Sequence, residues 1–252
     1  MTRNFADIGK WNWTFIVATA LCLNAAMQPA QAGRFAAMGS RGGAGAYNQQ
    51  GQYAQRFGAG AFAYGRGGAA VRGARFQGPN GGSGGRAGLT AVAPGMGVHA
   101  SASQGTTGNG GAFQRGGATG WQNGVGAAHQ SAFSGSTASG GSLDRQGQWQ
   151  YKNGEGGSSS RGFQAQSANG ASASGYKNGQ YDAATGSGTM SKGRDYNTAS
   201  GESYGYDTNT AYTKGQGFTT TVDTQNKTDY TVQYNKGEKP VVTPVPAPAP
   251  TP

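Results

Sequence analysis

The chain has 252 residues and a formal net charge of +10. Beyond residue 32 it holds 8 Phe, 9 Val, 2 Leu and no Ile. That aliphatic and Phe content is far under the roughly 20 % below which chains tend to stay unfolded. Ordering each residue costs roughly 1–2 kcal/mol of backbone entropy, and little apolar surface is present to offset it. This composition argues against an enzyme with a packed core and a rigid pocket.

Residues 1–32 read as a secretory signal helix. Arg3 and Lys10 precede an uncharged stretch from Thr14 to Met27, Pro29 breaks it, and Ala30-Gln31-Ala32 supplies a small-x-small site before Gly33. Such a stretch makes about 21 Å of helix, short of the ~30 Å hydrocarbon core. Cleavage would leave no integral membrane span and a secreted or extracytoplasmic product at the cell surface, in the periplasm or in an extracellular matrix. The one cysteine, Cys22, lies in that stretch, so the mature chain would have no thiol for a disulfide, a zinc site or a nucleophile.

Residues 33–143 form a second region. They carry eight arginines (Arg34, Arg41, Arg56, Arg66, Arg72, Arg75, Arg86 and Arg115) with no lysine and no acid. Glycine is abundant and no helical apolar period is sustained, which predicts a disordered, low-complexity coil. Arg-Gly-Gly recurs at Arg41, Arg66 and Arg115, with Phe57, Phe62 and Tyr64 interleaved. Guanidinium forks suit phosphate, sulfate or carboxylate and stack on rings. Over residues 33–120 this resembles the Arg-Gly-rich tails of RNA-binding proteins, which implies binding of single strands by charge and stacking. The leader redirects the expectation to polyanions outside the cytoplasm: anionic polysaccharide, envelope phosphate or extracellular DNA.

Near Leu143–Asp144 the chemistry changes. Residues 144–252 hold three Arg, seven Lys and nine acids, and nine of the twelve Tyr. An aromatic-x-Asn/Lys-Gly element recurs at Trp121, Tyr151, Tyr176, Tyr212 and Tyr234. Asn-Gly is a strong hairpin-turn signal. Three hairpins are predicted. The first, Phe163–Tyr176, turns on Asn169-Gly170 as a two-residue loop. The second, Gly217–Tyr234, turns near Gln225–Thr228. It places Phe218, Thr220, Val222, Thr224, Tyr230, Val232 and Tyr234 on one face, and Thr219, Thr221, Asp223, Thr231 and Gln233 on the other. The third lies around Tyr204–Thr213 and turns near Thr208–Asn209. Residues 144–239 are therefore expected to be β-rich, as an antiparallel meander or a loose β-solenoid. Its cohesion would come from Tyr151, Tyr176, Tyr212, Phe218, Tyr230 and Tyr234 pairing across strands, with self-association expected from the same surfaces.

Residues 240–252 carry six of the nine prolines and predict an extended polyproline tail. Catalytic and metal motifs are not found. His99 and His129 lie far apart in a region without acids, and Gly81-Gly82-Ser83-Gly84-Gly85 matches a nucleophile-elbow pattern only in letters. The nine acids are scattered singly, as solvated turn charges. No catalytic residue, metal ligand or cofactor is expected.

The expected function is that of a secreted, non-enzymatic structural or interaction protein of the cell surface, envelope or extracellular matrix. It would bind anionic polymers through multivalent Arg/Gly contacts. The alternatives are a self-assembling β-fibre or adhesin subunit, or an Arg-Gly-type nucleic-acid-binding protein. By composition the whole resembles glycine-rich secreted proteins of cell walls, coats and biofilm matrices.

Overall fold

The computed structural model describes residues 45–47, 53–63, 67–78, 80–225 and 227–245. The leader, Arg34, Arg41, Arg66 and the tail beyond residue 245 lie outside the described residues. Among the described residues every regular element is a strand. Within each unit defined below, strands adjacent in sequence pair antiparallel. The choice between meander and solenoid resolves to a meander.

Two compact units are present, divided between Gln122 and Asn123. The first holds β1 (Gly45–Tyr47), β2 (Tyr53–Ala63), β3 (Gly67–Gln77), β4 (Ser83–Ala93), β5 (Met96–Thr106) and β6 (Ala112–Gln122). The second holds β7 (Gly126–Ser136), β8 (Ser142–Lys152), β9 (Gly156–Gln166), β10 (Ser172–Asp182), β11 (Ser187–Asn197), β12 (Ser203–Thr213), β13 (Gly217–Thr224), β14 (Tyr230–Asn235) and β15 (Val241–Pro244). The composition shift near Leu143–Asp144 falls inside β8.

The coil expected over residues 33–143 is corrected for its described part: residues 53–63, 67–77, 83–93, 96–106, 112–122 and 126–136 are full strands of 11 residues. Want of a buried core does not enforce a coil here. Order comes from a saturated backbone ladder and from turn chemistry. Few side chains among the described residues are buried; the apolar ones are Ala87, Ala100 and Val222.

Two kinds of turn alternate, so that a pair of strands is the repeating unit. The longer loops span 78–82, 107–111, 137–141, 167–171 and 198–202. In each, the first residue's N–H donates to the fifth residue's carbonyl at 2.7–2.8 Å. The fourth residue is glycine with φ between 78° and 93° (Gly81, Gly110, Gly140, Gly170, Gly201), a conformation that penalises any side chain. This is the three-residue hairpin loop with a glycine bulge. Threonine clasps three of these loops: Gly111, Gly141 and Glu202 donate their N–H to Oγ1 of Thr107, Thr137 and Thr198 at 2.9–3.0 Å. The shorter turns include 152–155, 213–216 and 235–238, closed by N–H donation from the fourth residue to the first at 3.0–3.2 Å.

Those loops set the register. Gln166 pairs with Ser172, so Phe163 faces Gly175 rather than Tyr176. The expected two-residue turn at Asn169-Gly170 is thus corrected by one residue, which puts Phe163 and Tyr176 on opposite faces. The third hairpin is also corrected. Thr208–Asn209 lies mid-strand in β12, which pairs with β11 over its whole length, because the left-handed glycines that reverse the chain are Gly201 and Gly215. The second hairpin is found as expected: Phe218 pairs with Tyr234, Thr220 with Val232 and Val222 with Tyr230. The start of the proline-rich tail departs from expectation, since Val241–Pro244 pairs with β14. Pro244 closes that short strand, a place where a missing N–H is tolerated.

The candidate polyanion-binding face

Counted from the first residue of each strand, every full-length register pairs odd positions of one strand with odd positions of the next, so strand parity sorts all side chains onto two faces. In the first unit, one face carries Arg56 (β2), Arg72 (β3), Arg86 (β4) and Arg115 (β6). Registers place Arg56, Ala74, Arg86, Ser103 and Arg115 in one row across β2 to β6. The row's arginines thus sit on every second strand, about 9.5 Å apart at ordinary strand spacing, separated by small residues. All four face arginines are exposed. Arg115 Nε donates to Ser103 Oγ at 2.8 Å, which braces its guanidinium on an otherwise exposed side chain.

Arg75 differs. Its register partners are Gln55 and Gly85, so it sits on the opposite face, and it is half-buried. The sequence grouped it with the others because spacing along a coil carries no facing. His99, on the arginine face, shares a hydrogen bond with Thr90 Oγ1 at 2.9 Å. It is part of the polar surface of that face.

The second unit sorts its charges more sharply. Arg145, Arg161, Lys177, Lys192 and Arg194 occupy even positions of β8 to β11, and no strand acid shares their face. Arg161, Lys177 and Lys192 are directly opposite one another on three adjacent strands. Like charges in that relation destabilise a sheet. The other face carries Asp144, Asp182, Asp195, Asp207 and Asp223, with Lys152 the one strand cation, and Asp207 stands opposite Asp223. The one ion pair among the described residues is Lys152–Glu155, within a turn. The cations of this unit were missed at the level of sequence, although their odd offsets of three, five or seven residues from strand starts carried the signal.

The cohesion residues divide too. Tyr151, Tyr212, Phe218, Tyr230 and Tyr234 lie on the cationic face. Tyr176 lies on the acidic face, where its hydroxyl donates to Asp207 Oδ1 at 2.6 Å. That bond, with the nearby carboxylates, holds the Tyr176 hydroxyl protonated above its usual range. Its Tyr176-Lys-Asn-Gly element lies within β10 and makes no turn. The residue in phase with the repeat is Tyr181, two before the 183–186 turn. Trp121, Tyr151, Tyr181 and Tyr212 then hold the same place, next to last, in β6, β8, β10 and β12. Tyr181 and Tyr212 stack with ring centroids 6.4 Å apart and planes 5° apart. Phe218 and Tyr234 stack at 5.3 Å, and His129 stacks on Trp149 at 6.0 Å. Lys192 Nζ lies 5.9 Å from the centre of the Tyr206 ring.

Glycine explains how rings lie flat on so open a surface. Gly73 faces Phe57, Gly97 faces Trp121 and Gly193 faces Tyr176. A Cβ at Gly73 would stand 2.1 Å from the Phe57 ring, and one at Gly97 2.2 Å from the Trp121 ring. Each such ring covers backbone that would otherwise be wet. On the cationic face, Met190, Tyr206, Tyr212, Phe218 and Tyr230 line a shallow trough with Lys192 at its side.

Among the described residues no group of three His, Cys, Asp or Glu could hold a metal ion. No helix among them is long and apolar enough to cross a membrane. Comparison with protein-family models, curated proteins and solved structures gives no match to this chain.

Proposed function

We propose that this chain is a secreted, non-enzymatic structural or interaction protein of a cell surface, envelope or extracellular matrix, and that the arginine face of its first unit binds anionic polymers. The observation that carries this reading is the row Arg56, Arg86 and Arg115, with Arg72 beside it, on a face without a single acid. Evenly spaced guanidinium groups on a ladder suit a chain of carboxylates, sulfates or phosphates better than a small ligand. Attraction is multivalent and falls with salt as counterions are released. The extracytoplasmic location rests on the leader pattern of residues 1–32.

Binding to an immobilised polyuronate or sulfated polysaccharide, measured from about 50 to 200 mM salt, tests the proposal. At a slope near 0.7 per neutralised charge, four arginines weaken binding about 50-fold over that range. Replacing Arg56, Arg86 and Arg115 by Gln leaves a loss of about threefold and much weaker binding throughout. Arg75→Gln, on the other face, leaves the slope unchanged. Equal effects of Arg75→Gln and the facing substitutions would refute the assignment.

A further inference from the structure

The second unit exposes two faces of opposite charge on one layer of strands. On β8 to β11 one face holds five cations and no acid, and the other face of β8 to β13 holds five acids and one cation. Lys177 is half-buried, and the other cations and all the acids are exposed. Neither set is neutralised from within, since the ion pair among the described residues lies in the 152–155 turn. Both sets contain like charges set directly opposite across strands, Arg161–Lys177–Lys192 on one face and Asp207–Asp223 on the other. Such an arrangement disfavours the isolated sheet and favours an opposing layer of opposite sign.

We infer that the cationic face of this unit docks on the acidic face of the same unit in a second copy of the chain. Charge complementarity singles out that partner. The two faces are borne by one chain, and the central charges stand at neighbouring places along their strands: Lys177 and Lys192 are sixth in β10 and β11, and Asp207 and Asp223 are fifth and seventh in β12 and β13. A copy displaced by one hairpin repeat sets β9, β10 and β11 over β11, β12 and β13. Arg161 then stands above the Asp195 strand, Lys177 above the Asp207 strand and Lys192 above the Asp223 strand. Sheets packed face to face lie about 10 Å apart, within reach of Lys177 meeting Asp207 and Lys192 meeting Asp223. The exposed rings of Tyr181 and Tyr212, on the cationic face, would be covered by the same contact. The contact joins two different surfaces, so it does not close on itself and builds open stacks.

This inference is independent of the arginine row of the first unit, and its test leaves that row intact. Two variants are compared by sedimentation velocity at low and at high salt, with far-ultraviolet circular dichroism confirming strand content in each. One is Lys177→Glu/Lys192→Glu/Arg194→Glu, and the other is Asp195→Lys/Asp207→Lys/Asp223→Lys. The unaltered chain sediments as a concentration-dependent assembly at low salt and as a monomer at high salt. Each variant alone stays monomeric, because its two faces now repel. Mixed in equal amounts, the variants co-sediment as a larger species, because the unaltered acidic face of one meets the unaltered cationic face of the other. Variants that assemble alone, a mixture that stays monomeric, or assembly of the unaltered chain only after an anionic polymer is added would overturn the inference.

Discussion

The Gly97–Trp121 pair gives a prediction whose sign depends on the facing of one glycine. Gly97 and Trp121 are register partners on β5 and β6, and a Cβ at Gly97 would lie 2.2–2.8 Å from three atoms of the indole. Gly120, next to Trp121 on the opposite face, would place its Cβ 3.9 Å from the nearest atom, the Gly97 carbonyl oxygen. Alanine in place of glycine within a strand ordinarily stabilises by about 0.5–1 kcal/mol, through the unfolded chain. That is the expected result for Gly120→Ala. For Gly97→Ala the indole must leave its seat. If it re-exposes ~50 Å², about a quarter of what a large ring buries, the loss is about 1.3 kcal/mol. The net effect is a destabilisation of about 0.5 kcal/mol, and the two variants differ by about 1–1.5 kcal/mol. In a chain of this size that separates their melting temperatures by about 3–5 °C. Thermal melting followed at the near-ultraviolet tryptophan band measures it. If both alanines stabilise equally, rings do not protect glycine backbone in this fold.

The loops yield a second prediction. Gly170 has φ of 90° with open space where a Cβ would stand, so Gly170→Ala destabilises by about 1–2 kcal/mol through backbone strain alone. Thr137→Ala loses the clasp on the Gly141 N–H and costs about 1 kcal/mol; denaturant melts of both variants check these values. Tyr176 supplies a pH test. Its raised titration means that the Tyr176–Asp207 bond stabilises the fold fully below the ordinary tyrosine pKa of 10.0, and that this contribution is lost as pH rises through the folded value. The stability advantage of the unaltered chain over Tyr176→Phe should therefore be constant near neutrality and vanish in strong alkali. A pH-independent difference would show that the hydroxyl bond contributes nothing.

Turn chemistry carried most of what the sequence disclosed. Lys236-Gly237 and Lys214-Gly215 reverse the chain as their letters suggest, and alternation in Gly217–Tyr234 places Phe218 and Tyr234 together. Register was harder to read. The loop around Asn169-Gly170 contains one residue more than a tight turn, because Ser167 pairs with Ala171 across a left-handed Gly170. That one residue exchanges the faces of Phe163 and Tyr176. The arginine row was hidden for a different reason. Arg56, Arg86 and Arg115 recur at nearly equal intervals, but that period has meaning only once the intervening glycines are known to be strand. Aliphatic content gave no warning of it, because a single layer of strands draws its order from ladders, loops and rings over glycine, with little core to count.

The most direct test of the central claim, that strand parity makes one face of the first unit the polymer-binding surface, is thiol labelling in a chain with Cys22 replaced by Ser. Thr90→Cys and Ser101→Cys report the arginine face, and Ala102→Cys and Gln104→Cys report the other. With a saturating polyuronate at low salt, labelling should slow several-fold at the first two positions and stay unchanged at the second two. Uniform protection of all four, or of none while binding persists, would contradict the account.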